Sequence, residues 1–144
     1  MNPVILRISA RYLVPILLTV SLVLLLRGHN APGGGFSGGL LAASAFALYT
    51  LAFGSGQARK LLRFDPRTLI ASGVLIALAS GLPALFVGEA YLSSFWVVPT
   101  LPLIGALPFG TPLVFDVGVF ITVIGFTLTI MFVLYEYDEE GEVR

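Results

Sequence analysis

Four stretches of this chain are each long and apolar enough to cross the hydrocarbon core of a bilayer, and that property fixes most of what it can fold into. A helix rising about 1.5 Å per residue needs roughly 20 mainly apolar residues to span about 30 Å. The stretches run from Ile8 to Leu26, Phe36 to Phe53, Thr68 to Val87 and Pro112 to Tyr135. In hydrocarbon every backbone N–H and C=O must be satisfied within the protein, so these segments read as α-helices. The predicted architecture is an all-α membrane protein: one domain over residues 1–144 with four transmembrane helices at about 8–26, 36–53, 68–87 and 112–135. Between helices 3 and 4 lies a long apolar segment, Gly88 to Gly110, and an acidic tail covers 136–144.

Charge supports the same count. Only 11% of residues are charged, against about 25% in a soluble domain. Four spans place Arg7, Arg11, Arg59, Lys60, Arg63, Arg67 and Arg144 on one side, seven of the eight basic residues, and leave Arg27 alone on the other. Basic residues collect on the cytoplasmic side of membrane proteins, so both termini are expected in the cytoplasm. The n-region-like Arg7 and Arg11 precede an apolar run, but no small-x-small site closes it, and a retained first helix is expected.

Local signals agree with these boundaries. Thr111-Pro112 sets a capping hydroxyl before a proline suited to the first helical turn, and Asp65-Pro66 does the same for the third helix. Gly54 closes the second helix. Pro15 and Pro83 fall inside spans, where they bend a helix or mark an end. The 88–110 segment carries Tyr91, Phe95, Trp96 and Phe109 with almost no charge, the composition of an interfacial segment on the outer side. No internal repeat is visible.

Several function classes are excluded or disfavoured. With no cysteine and a single histidine, His29, the chain lacks the ligand set of an ordinary metal centre. No metal and no cofactor are expected. A net charge of zero gives no reason to expect a nucleic-acid partner. Gly33-x-Gly35-x-x-Gly38 matches a dinucleotide fingerprint in letters only. It follows a lipid-length helix rather than a strand, and no acidic residue stands about 20 positions on.

That glycine run, Arg27-Gly28-His29-Asn30-Ala31-Pro32-Gly33-Gly34-Gly35-Phe36-Ser37-Gly38-Gly39, is the sharpest feature. It reads as a joint between the first two helices, with Pro32 fixing the turn and Phe36 anchoring helix 2. Irregular backbone at membrane depth needs shielding by protein or a water cavity, so the joint is expected to be buried. Small residues at four-residue spacing let helices approach closely where lipid offers no hydrophobic drive. Gly35, Gly39, Ala43 and Ala47 form such a groove on helix 2. Gly73, Ala77 and Gly81 form one on helix 3, and Gly118, Thr122, Gly125 and Thr129 on helix 4. These grooves serve packing within the chain, packing against other subunits, or both. The first helix, bulky on all faces, meets lipid or a partner.

Arg27 to Leu40, read with Thr111-Pro112-Leu113-Val114-Phe115-Asp116-Val117-Gly118-Val119, resembles the B-subunit family of Mrp-type (Mnh/Sha) cation/proton antiporters. The G-H-N-x-P-G-G-G-F core and the F-D-x-G-V opening of the last helix carry the resemblance, which extends over essentially the whole chain. It implies a small subunit, not itself an enzyme, that supports assembly and activity of a complex with large antiporter-like and other small membrane subunits. Such a complex exchanges cytoplasmic sodium for external protons across a prokaryotic cell membrane and serves pH and sodium homeostasis. Related chains also occur in membrane-bound hydrogenase-like and sulfur-reducing complexes, so a redox-driven parent is an alternative. An independent small channel is a further one.

Asp116 is a candidate ion-path or partner-pairing group, because an acid within a span is costly and commonly functional. Its alternative is an anion favoured by the dipole at a helix N-terminus. Pairing with Arg27 or His29 is expected, since all three belong to the outer side. His29 carries the one side-chain type whose unperturbed pKa is near neutral and so suits a proton relay, or simply braces the joint. Glu89 guards an outer opening or is a solvated interface acid. Ser21, Ser44, Thr50 and Ser72 are expected to hydrogen-bond along their own helices. The tail acids attract cations or are merely solvated. No span carries a lysine, or an acid near its centre, which argues that the chain assists translocation rather than performing it.

Overall fold

A computed structural model of the chain describes residues 3–28, 34–94, 96–97, 100–101, 105–106 and 109–142. Its helices are α1 (Pro3–Arg27), α2 (Gly34–Phe53), α3 (Ser55–Leu62), α4 (Pro66–Ala79), α5 (Leu82–Phe86) and α6 (Thr111–Glu142). Four stretches are long and apolar enough to span a membrane, the third of them, Ser55–Phe86, running through α3, α4 and α5. At 32 residues, α6 is about 48 Å long. That is longer than the roughly 30 Å hydrocarbon core of a bilayer, and the helix continues through Glu142 into the acidic tail.

The ends of these helices have local causes. Gly54 takes φ +91 between α2 and α3, a conformation barred to most side chains, and its N–H still donates to Thr50 O at 2.7 Å. Arg63 stops α3 in the left-handed region at φ 63, with its N–H donating to Arg59 O. Asp65 caps α4: its side chain accepts from Arg67 N at 2.8 Å, and Pro66 follows in the first turn. The third span is broken rather than bent. α4 ends at Ala79, Ser80 and Gly81 keep right-handed angles, and Pro83 falls in the first turn of α5, where a missing N–H does no harm. α1, by contrast, runs unbroken through Pro15.

The spans stand in a row rather than a closed bundle. α1 packs on α2, α2 on α6, and α6 on α4, while α1 touches α6 only lightly. The seams are built from small residues. A methyl group on Gly38 would lie 2.8 Å from Ser21 O of α1, and one on Gly39 would lie 2.9 Å from the Val123 side chain of α6. Methyls on Gly118 and Gly125 would lie 2.5 Å from Ala77 N and 2.7 Å from Pro66 O of α4. The stripes of α2, α4 and α6 are thus used inside the chain. The core is narrow: Ala42, Ala58, Ile124, Leu128 and Phe132 between α2, α3 and α6, and Ala10, Val14, Ala45 and Ala52 between α1 and α2. Ser21, Ser44, Thr50 and Ser72 donate to carbonyls three or four residues back in their own helices, so these hydroxyls leave no polar group stranded in the bilayer.

Between α5 and α6 the chain forms two short antiparallel pairs, Trp96–Val97 (β1) with Phe109–Gly110 (β4), and Thr100–Leu101 (β2) with Gly105–Ala106 (β3). One register runs through both, as in a single hairpin. The segment expected to be interfacial thus contains strand pairing that its composition did not reveal. Pro99, Pro102 and Pro108 hide the strand signal in sequence, because proline is confined to strand edges and ends.

Candidate functional site

Two clusters of polar groups stand at opposite ends of the row. At the first, α1 ends and α2 begins. Gly34 opens α2 at φ +74 and lies against α6, so that a methyl placed on it would sit 3.0 Å from Asp116 Oδ2 and 3.1 Å from Asp116 Oδ1. A methyl on Gly28, the residue after α1, would sit 3.1 Å from Asp116 Oδ2 and would overlap the Gly34 backbone. One on Gly35 would overlap the Asp116 carbonyl. Three segments therefore meet at a point where only hydrogen fits, and the Asp116 carboxylate faces the first residues of α2. An anion is favoured there by the partial positive charge of a helix N-terminus.

Of the two partners expected for Asp116, His29 lies outside the described residues, and Arg27 forms no ion pair with Asp116. Among the described residues Arg59–Glu136 is the only ion pair, and Arg27 is an exposed residue in the last turn of α1. The carboxylate turns instead toward the backbone of Gly28 and Gly34. Phe36, in the first turn of α2, is 60% exposed. His29, Pro32 and Gly33 lie outside the described residues. Glu89 is exposed just after α5, its backbone N–H donating to Ala84 O at 3.0 Å. It touches neither Asp116 nor the joint through any hydrogen bond or ion pair among the described residues. Gly81 receives the Tyr91 ring, whose hydroxyl donates to Leu78 O at 2.7 Å. Gly73 and Ala77 meet Gly118 and Thr122 across the α4–α6 seam.

At the opposite end, Arg7 Nε of α1 donates to Ala52 O of α2 at 3.2 Å, satisfying a carbonyl that the helix terminus leaves open. Arg59 of α3 lies 4.7 Å above the centre of the Phe132 ring and pairs with Glu136 at 2.7 Å. Phe132 and Glu136 are one helical turn apart on α6, so one face of that helix receives both parts of the arginine. Their i, i+4 spacing is legible in sequence, whereas the identity of the cation that meets them is not. No group of three or more His, Cys, Asp or Glu side chains gathers among the described residues as a metal site would require.

A sequence profile for the family described as "Domain related to MnhB subunit of Na+/H+ antiporter" matches residues 5–129. This chain belongs to the MnhB family. Among its MnhB relatives, the Na(+)/H(+) antiporter B subunit of Alkalihalophilus pseudofirmus is 40% identical over 137 residues, 95% of each chain. A putative antiporter subunit mnhB2 of Staphylococcus aureus is 37% identical over 130 residues, covering 90% of this chain and 92% of that one. The fold matches part of the Mrp complex from Dietzia sp. DQ12-45-1b with a TM-score of 0.79 and 36% identity. There it covers 93% of this chain but 14% of the matched chain, so the MnhB unit is a small piece of that longer polypeptide. The glycine joint and the Asp116 helix thus belong to a recognised family unit, and the MnhB chain is a multi-pass membrane protein of a prokaryotic type.

Proposed function

We propose that this chain is the B subunit of an Mrp-type sodium/proton antiporter, acting through other membrane subunits and holding neither a catalytic site nor an ion route of its own. The observation that carries the reading is the near full-length match to an antiporter B subunit, 95% of both chains. Two physical features support the auxiliary role. The spans carry no lysine or acid at mid-depth, where a self-contained translocator needs one. The row of helices leaves Ile5, Ile8, Ile16 and Val23 of α1, Leu75 and Leu78 of α4, and Phe126, Ile130 and Val133 of α6 exposed. A membrane surface of this kind suits lipid or neighbouring helices.

On this reading the Asp116–Gly28–Gly34 cluster holds the outer ends of α1, α2 and α6 in register and presents Phe36 to a neighbour. Arg27, His29 and Glu89 line the same outer face as partner-pairing groups, and both termini lie in the cytoplasm. Everted membrane vesicles test the role. Cells lacking this chain should lose sodium-dependent proton exchange and fail to yield the intact complex on mild-detergent purification. Sodium/proton exchange by liposomes containing this chain alone would refute it.

A further inference from the structure

The segment from Arg59 to Arg67 holds four cations, Arg59, Lys60, Arg63 and Arg67, and one acid, Asp65. It runs from within α3 into the first turn of α4 at Pro66, and a cluster of cations between apolar spans suits the depth of the lipid headgroups. Arg59 is taken by Glu136, and Asp65 is occupied by the backbone N–H of Arg67. Glu136 and Asp65 are thus already engaged. Lys60, Arg63 and Arg67 are exposed and form no ion pair among the described residues. Arg67 lies on the rim of a cavity of about 190 Å³ between α3, α4 and α6 that Arg59, Asp65, Thr129 and Phe132 also line. Beside these cations two apolar side chains are bare, Leu61 at 47% and Phe64 at 64% exposure.

Cations and large apolar groups side by side at the membrane surface match the two halves of an anionic phospholipid. We propose that the α3 segment is an anionic-phospholipid site: Lys60, Arg63 and Arg67 hold the phosphate-bearing headgroup, and Leu61 and Phe64 meet the upper acyl chain. Soluble phosphate would use the cations but not the apolar pair. An acidic protein segment would use the cations in a way indifferent to lipid. The local electrostatics favours lipid, because each basic residue near an anionic surface strengthens attraction by roughly fivefold and the exposed apolar pair adds buried area.

The test uses the full chain reconstituted in bilayers, with Phe64→Trp as the probe and Trp96→Phe removing the sole native tryptophan. Quenching by brominated phosphatidylglycerol is compared with quenching by brominated phosphatidylcholine. The expected result is a preference for the anionic lipid of at least about fivefold, the contribution of one basic residue, screened toward unity at high salt. Combined Lys60→Gln, Arg63→Gln and Arg67→Gln substitution should abolish the preference. Because the salt titration needs no charge variant, the proposal is testable even where the triple variant folds poorly. Equal quenching by both lipids would overturn it. So would a preference that survives high salt, or one that inorganic phosphate removes at modest concentration.

Discussion

Gly118→Ala should loosen the whole α4–α6 seam. A methyl on Gly118 would sit 2.5 Å from Ala77 N, 2.7 Å from Gly73 O and 2.9 Å from Ala77 Cα. Carbon contacts settle near 3.5–4.0 Å, so α4 and α6 must part by roughly 1 Å, and a gap of 0.5–1 Å forfeits about a quarter to a half of each dispersion well it opens. The loss extends to Gly73 and Gly125, which hold the same seam. Overpacking of this kind costs about 1–3 kcal/mol. By the scaling for soluble domains of this size, about 2 kcal/mol corresponds to a fall of roughly 5–10 °C in Tm. The assay is the fraction of purified chain that stays monodisperse in mild detergent after heating. Gly56→Ala is the control: a methyl there meets nothing within 4 Å, and within a helix the change should gain about 0.5–1 kcal/mol. Since backbone blocks the space at Gly118, adding Ala77→Gly should restore little. If Gly118→Ala melts with the parent chain, close backbone approach is not what holds α4 to α6.

Four other outcomes follow from the structure. Gly34→Leu places a side chain at φ +74 against the Asp116 carboxylate, and co-purification of the other subunits should fall more than the yield of the isolated chain. Asp116→Ala removes the anion at the start of α2 and should lower thermal stability by about 0.3–2 kcal/mol, while Asp116→Asn, which keeps the shape, should lose part of that; equal melting of all three would remove the role. Arg59→Ala should cost under about 1 kcal/mol in the same melting assay, because the Arg59–Glu136 pair is nearly half exposed on both sides. A larger loss would mean that the pair is covered by a neighbouring chain. The sequence is free of cysteine, so Arg63→Cys gives a single label site. A membrane-impermeant maleimide should reach it in everted vesicles and not in intact cells, and the reverse result would invert the topology.

The spans were legible because lipid imposes one solution on a long apolar run. Their ends were legible wherever a residue carries its own mechanism, as Asp65-Pro66 and Gly54 do. The grooves of Gly39, Gly73, Gly118 and Gly125 were visible as spacing, but their occupants were not. A stripe of small residues reveals that something approaches closely, without saying which helix. For the same reason Asp116 was recognisable as unusual while its neighbours Gly28 and Gly34 were not foreseen. The expected Arg27 pairing followed from shared sidedness alone, and sidedness fixes neither rotation about a helix axis nor distance. The 54–67 stretch, between the second and third predicted spans, carried no helix expectation because eight residues are too few for hydrophobic periodicity to stand out. Its helix depends on Ala58, buried against Ile124, Leu128 and Phe132 of α6.

A single file of helices has consequences for the cell that makes it. Each broad side of the file stays unspoken for until companions arrive, so surplus copies resemble unfinished goods to the proteases that patrol a membrane. Where those sides are covered by companions, abundance in the membrane should track the scarcest member of the assembly.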